Sequence, residues 1–285
     1  MIDLFINGIV MGSILALGAV SLTFQYGVLN FPNLAHGEFI AIGAYLTLLG
    51  NVWFGWGLIQ SGIFAIIVSI GLGILLEKLL WKPLRYGGAG LVSFLIISMG
   101  ASIFLRSSII AIFGGSFHYF DIPAATPVTF LGVSIGKYQL LVLIFSIISM
   151  LAIYYILQRT RLGKSLRAIS DSTRLAKISG IDVDWTIRMM WVIVMILVGI
   201  AGVMYGLVVM VRPNMGFYLL LPIFAAVILG GVGNVYGAII GAMILGISQE
   251  VSTKWLPTQY KVAVAFVALI IVLIFRPKGL FKGMR

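Results

Sequence analysis

The sequence holds no cysteine and only two histidines in 285 residues. Without thiols there are no disulfides, no thiolate metal sites and no cysteine nucleophile. His36-Gly37-Glu38 lacks the second histidine, four residues on, that a zinc-binding helix needs, so neither a metal nor another cofactor is expected. Charge is scarce too, at 9% of residues with eight acidic side chains. All eight acids read as lying at or beyond the ends of apolar runs, which leaves an intramembrane enzyme without the paired carboxylates or activated nucleophile it needs. No G-x-x-x-x-G-K-S/T loop occurs, so this motif supplies no ATP site and any energy for uphill work must come from elsewhere. The opening Met1-Ile2-Asp3 has no basic stretch of the kind that starts a cleavable signal, and the first apolar run is expected to be retained.

What the chain has in excess is apolar sequence: 61% of its residues are hydrophobic, beyond the range of soluble domains. In hydrocarbon every backbone polar group must be satisfied internally, which leaves helices or closed barrels. The runs are continuous and do not alternate, so helices are selected. Candidate spans fall at residues 4–24, 34–50, 58–76, 91–113, 138–157, 189–211, 217–229, 236–249 and 261–275. The expectation is an all-α, polytopic transmembrane helical bundle of about 8–9 spans, some short or broken, forming one domain over residues 1–285.

A net charge of +11 could suggest nucleic acid, but the basic residues are not interleaved with aromatics on a soluble face. Fourteen of the 19 lie in three short stretches, 78–89, 158–188 and the tail from Arg276, where Lys278, Lys282 and Arg285 follow. The positive-inside rule puts all three on the cytoplasmic side, close to membrane lipid. Nine spans then place the N-terminus outside and the C-terminus in the cytoplasm. Trp53 and Trp56 fall at the outer interface, and 115–137, with His118, Asp121, Pro123 and Pro127, becomes the sizeable outer loop.

Four features carry possible function. In the cytoplasmic loop 158–188, Leu162, Leu166, Ile169, Leu175 and Ile178 form a broken helical stripe, and Gly180 suits a left-handed cap. The loop reads either as a basic segment on anionic lipid or as a docking helix for a soluble partner, with Ala176 facing that partner. Asn30, Pro32, Asn33, His36 and Glu38 form the densest polar cluster beside an apolar run. It reads as a capped, kinked helix end with Asn33 as N-cap, or as a gate or pathway lining. Gly230, Gly231, Gly233 and Asn234 interrupt 217–249, making it one kinked helix or two short ones. Unwound backbone at membrane depth would line a substrate path there. Arg106 lies within an apolar run, where snorkelling to the outer surface is favoured over pairing inside the bundle. Leu29-Asn30-Phe31-Pro32-Asn33 also faintly echoes Met210-Val211-Arg212-Pro213-Asn214, on spans that would run in opposite directions.

Residues 8–46, and within them Leu34-Ala35-His36-Gly37-Glu38-Phe39 and Gly43-Ala44-Tyr45, resemble the first segment of branched-chain amino-acid ABC permeases of the LivH type. Ile97-Ser98-Met99-Gly100, Thr160-Arg161-Leu162-Gly163-Lys164 with Arg167-Ala168, Ala201-Gly202-Val203 and Ala226 through Gly233 extend the likeness along nearly the whole chain. Phe31-Pro32-Asn33 departs from the apolar-Asn-Phe pattern, and urea and amide permeases look similar, so the solute stays open between amino acids and these. The resemblance implies a multi-pass subunit of the bacterial inner membrane in a heteromeric importer. Its companions would be a second homologous permease, two cytoplasmic ATP-binding subunits and an extracytoplasmic solute-binding protein. It further implies that the 160–181 helix, through Gly163, Arg167, Ala168, Ala176 and Gly180, couples the ATPases to the spans. A passive channel for small polar solutes is the alternative, and such a channel has no ATPase to seat.

Overall fold

The computed structural model describes residues 1–123, 128–130, 133–276 and 279–281 of the chain. Each of the nine apolar runs becomes helical within them. Seven helices are long and apolar enough to cross a membrane. They are α1 (Ile2–Leu29), α3 (Leu58–Leu76) continued through a π-helical turn into α4 (Lys82–Tyr86), α5 (Leu91–Phe113), α6 (Lys137–Arg159), α9 (Val183–Val208), α11 (Val235–Ser252) and α12 (Lys261–Phe275). Two others are shorter: α2 (His36–Leu48) with 13 residues, which a π-helical turn continues to Trp53, and α10 (Met215–Gly230) with 16, whereas α12 reaches 18 with the 3-10 turn Thr258–Tyr260 before it. At 1.5 Å per residue, α2 covers about 20 Å of a hydrocarbon layer of about 30 Å. A short antiparallel hairpin, β1 (Val128–Phe130) and β2 (Val133–Ile135), is the departure from an all-helical chain among the described residues. Ala124 and Pro127 of the expected outer loop, and Lys278, Lys282 and Arg285 of the basic tail, lie outside the described residues.

The short helices begin inside the bundle because the chain before each is not helical. Asn30 ends α1 in a left-handed conformation, φ 56°, with its N–H on the Tyr26 carbonyl at 2.8 Å. Pro32 keeps the helix from resuming. The chain then runs back along α1, since His36 Nε2 lies 3.0 Å from Ser21 Oγ and 3.1 Å from the Gly18 carbonyl, midway up that helix. Residues 209–214 do the same between α9 and α10. Val209 is extended there, and Val211 exchanges backbone hydrogen bonds with His118 at 2.9 and 3.0 Å.

Helices α1–α3 and α9–α11 form two sets that pack by exchange: α1 lies against α10 and α11, and α9 against α2 and α3. The Pro-Asn echo marks the same place in each set. Lipid tails offer helices no hydrophobic reason to associate, so close backbone approach carries the packing. Small residues accordingly line the α1–α11 contact, where Gly12 and Gly246 meet.

Charges are buried more deeply than expected. Glu38, Glu77 and Glu250 are all buried, and each has a cation beside it. Glu77, in the π-helical turn, accepts the Trp191 indole N–H at 2.7 Å and pairs with Arg85 at 2.5 Å. This Glu77 network sits in a wall of aromatic rings, with Phe31 stacked on Phe94 at 4.7 Å and Trp81 edge-on to Trp191 at 6.0 Å. The reason the sequence reading missed it is that hydropathy registers an acid as a span end, whereas a paired and hydrogen-bonded acid is tolerated inside.

Loop 158–188 holds two short helices, not one. α7 (Arg161–Asp171) is capped by Thr160, whose Oγ1 accepts the Gly163 N–H, and α8 (Thr173–Ile178) by Ser172, whose Oγ accepts the Leu175 N–H. Gly180 takes the left-handed conformation expected of it, φ 82°.

Candidate functional site

Two non-helical crossings bring the N-termini of α2 and α10 together inside the bundle. A methyl group on Gly37 would overlap the Gly216 carbonyl, and one on Gly216 would come 2.7 Å from Glu38 Oε2. Only glycine at both positions permits this approach.

Glu38 occupies the junction, 1% exposed. Its Oε1 lies 3.6 Å from Arg106 Nε and accepts the Ser102 hydroxyl at 3.3 Å. Its Oε2 has no hydrogen-bond partner among the described residues. The carboxylate thus sits by the N-terminal ends of two helices and beside a guanidinium. Arg106 does not snorkel outward as expected. It turns into the bundle toward Glu38 and lies over the Phe217 ring, 5.3 Å from its centroid, because a pairing partner and an aromatic face are within reach. Its side chain is still 25% exposed. Beside it, Asn214, Phe217 and Tyr218 are exposed, and Arg212 stacks over Tyr218 at 4.6 Å.

Among the other sequence candidates, Asn33 is not the N-cap of α2. That place falls to Ala35, and Asn33 Oδ1 instead accepts the Ala35 N–H at 2.9 Å, shaping the turn before the helix. His36 is fully buried against α1, and Asn30 is exposed at the α1 end. So Asn33, His36 and Glu38 are brought together on the first crossing, and Asn30 is set apart from them.

Gly230, Gly231, Gly233 and Asn234 make a turn between α10 and α11, so 217–249 is two helices and not one kinked helix. Gly231 and Gly233 have φ 102° and 85°, and Asn234 caps α11 through the Gly237 N–H at 3.0 Å. The tail closes over the turn, with the Leu280 N–H on the Leu229 carbonyl at 2.8 Å. The unwound backbone lies at 30–35 and 209–214 instead, because proline there removes a helix donor while the glycine cluster merely reverses the chain.

The coupling candidates divide between two environments. Gly163 packs at the carbonyl end of α6, Arg167 Nη1 donates to the Leu157 carbonyl, and Ala168 packs on the core, so these brace α7 against the chain's own spans. Ala176 was expected to face a partner and instead points inward, 3% exposed. The outward face of α8 carries Leu175 and Ile178, 65% and 76% exposed, beside Arg174 and Lys177. The break at Ser172 resets the helical register, so an alignment of apolar positions across both helices assigns the wrong face.

Sequence reasoning also missed Ser102, Phe217 and Tyr218. An arginine inside an apolar run was the available signal that a partner must exist.

Seven apolar helices with two half-helices meeting inside define a multi-pass inner-membrane protein of the transport class. Residues 4–273 match the family described as "Branched-chain amino acid transport system / permease component", and the chain belongs to that family. It is 32% identical to the high-affinity branched-chain amino acid transport system permease protein LivH of Escherichia coli, covering 96% of this chain and 93% of that one. It is equally 32% identical to BraD of Pseudomonas aeruginosa, over 96% and 94%. A probable LivH of Methanocaldococcus jannaschii is 29% identical over 96% and 90%. Among solved structures, PsaBC from Streptococcus pneumoniae in complex with Fab shares the fold, with TM-score 0.55 and 16% identity over 98% of this chain and 97% of that one.

Proposed function

We propose that this chain is the translocating subunit of an ATP-binding-cassette importer for branched-chain or other neutral amino acids, with ATP hydrolysis residing in separate subunits. The observation that carries it is the junction of two half-helices around a Glu38–Arg106 pair, in a chain of this permease family. Half-helices meeting at mid-depth are the arrangement by which transporters bind small polar solutes between repeats.

In this reading the whole chain is one domain with nine crossings. Seven are continuous helices, and two are made by residues 30–53 and 209–230, each an extended stretch plus a half-helix. The N-terminus is outside and the C-terminus cytoplasmic, which the clustering of basic residues in 78–89, 158–188 and the tail supports. A reporter after Arg285 or near Lys164 should therefore read cytoplasm and one near Ala124 outside, and opposite readings at the first two would remove the nine-crossing count.

The partners are a second homologous permease subunit, two ATP-binding subunits and an extracytoplasmic solute-binding protein. The exposed Leu175 and Ile178 of α8, beside basic residues and tied to α9 through the Gly180 turn, suit a groove on the ATP-binding subunit. The test is co-purification in mild detergent, followed by leucine uptake and ATP hydrolysis in the same vesicles. Leu175→Ser with Ile178→Ser should release the ATP-binding subunits and stop both activities while the permease stays folded. Leucine uptake that continues with no ATP-binding subunit present would make the chain a facilitator. Uptake of urea or acetamide in place of leucine would make it an amide permease.

A further inference from the structure

Resting on the amino-acid reading above, we infer that Glu38 and Arg106 form the zwitterion-recognition site of the translocation path. As α5 and α10 part, the substrate's α-carboxylate takes the place of Glu38 on Arg106, and its α-ammonium takes the place of Arg106 on Glu38.

The pair is only half engaged. Its 3.6 Å separation lies beyond hydrogen-bond range. Arginine carries five N–H donors, and among the described residues none of those on Arg106 makes a hydrogen bond, its remaining contact being the Phe217 face. Glu38 Oε2 is buried and equally without a partner. Each member therefore keeps free capacity for a group of opposite charge.

The location fits a path and not a lipid-facing surface. The outward faces of α3, α6 and α12 carry aliphatic side chains such as Ile63, Ile67, Ile147, Ile148, Ile270 and Ile271. The face made by α5 and the start of α10 differs in carrying Arg106, Ser107, Asn214 and Tyr218 at its surface among exposed apolar side chains such as Phe104 and Ile110. A charged side chain within a membrane helix faces a protein interior or a wet cavity, so this face borders the solute. Phe217 and the exposed Ile103, one turn before Arg106, offer an apolar wall for a branched side chain.

Selectivity then follows from electrostatics. Separating a buried ion pair leaves two uncompensated charges, and a zwitterion replaces both at once. An uncharged amide replaces neither.

The test is a charge cycle in the full importer reconstituted in vesicles, with leucine as the probe. Glu38→Gln and Arg106→Gln are each expected to destabilise the assembly, because each strands one buried charge. The double variant strands none and should assemble with its ATP-binding subunits normally, yet its leucine uptake should fall at least tenfold. Uptake within about threefold of the parent in the double variant would reduce the pair to a structural brace and overturn the site. Should the double variant fail to assemble, Arg106→Lys decides. It keeps the charge but loses two-point recognition of a carboxylate, so the leucine KM should rise about tenfold, and an unchanged KM overturns the site. Failure of the unaltered importer to take up leucine at all would sink the amino-acid reading itself, an outcome distinct from either of these.

Discussion

The two broken crossings share an architecture and differ in what they expose. In the first, residues 31–35 are buried or half-buried and the start of α2 is buried, with Asn33, His36 and Glu38 each no more than 1% exposed. In the second, residues 209–214 are tied by Val211 to His118, and the start of α10 leaves Asn214, Phe217 and Tyr218 open. The first holds a fixed charge inside the protein and the second presents a surface. An element meant to move cannot also be the one that buries the unpaired polar atoms, since every excursion would strip them of their surroundings. In the proposed translocation path the α2 side is the frame, and the α10 side, with α5, the part that opens.

The largest test of this contrast compares the two arginines. Arg106→Ala leaves the buried Glu38 without its cation, and breaking a buried pair costs about 3–5 kcal/mol, here toward the lower end because Arg106 is a quarter exposed. Arg212→Ala removes a half-buried side chain that stacks on Tyr218 and hydrogen-bonds Tyr205, and should cost about 1–2 kcal/mol. Unfolding of both variants in detergent measures the difference, and equal losses would erase the distinction between frame and surface.

Next comes the junction itself. Gly37→Ala and Gly216→Ala each place a methyl group on opposing backbone or on Glu38, and overpacking of this kind costs about 1–3 kcal/mol. Because each residue crowds the other's helix, the double variant should be worse than either alone. Strict additivity in the same unfolding assay would mean that the two helix starts are not in mutual contact.

The smallest test uses the repeated Pro-Asn. Asn33→Ala removes the hydrogen bond to Ala35 and should cost about 1 kcal/mol. Asn214, which caps α10 without a side-chain bond, should tolerate alanine within about 0.5 kcal/mol. Equal effects would indicate that the echo in sequence is also an echo in bonding.

Much of this fold was legible from hydropathy. The nine apolar runs recur as helical segments, 217–249 breaks at its glycines, and Gly180 turns left-handed as its position suggested. The polar cluster at 30–38 was rightly marked as unusual, and Arg106 as needing an explanation. The readings that failed share a cause. Asn33 reads as a cap, Ala176 as outward-facing and Arg106 as snorkelling, each from its immediate neighbours in the chain. Each outcome was decided by something distant: the return of 30–35 along α1, the packing of α8 on α9, and Glu38 lying 68 positions before Arg106.

Sequence by itself therefore determined that this chain lives in a membrane, how many apolar segments it has, where prolines and glycines interrupt them and which loops are basic. These are properties of windows of a few to about 20 residues, set by transfer free energy and backbone stereochemistry. Only the tertiary structure decided that two of the segments start inside the bundle, that their N-termini meet at Gly37 and Gly216, and that Glu38 finds Arg106 there. A buried charge is tolerable only with its partner, and which partner it meets depends on how helices far apart in the chain are packed together, which no local window contains.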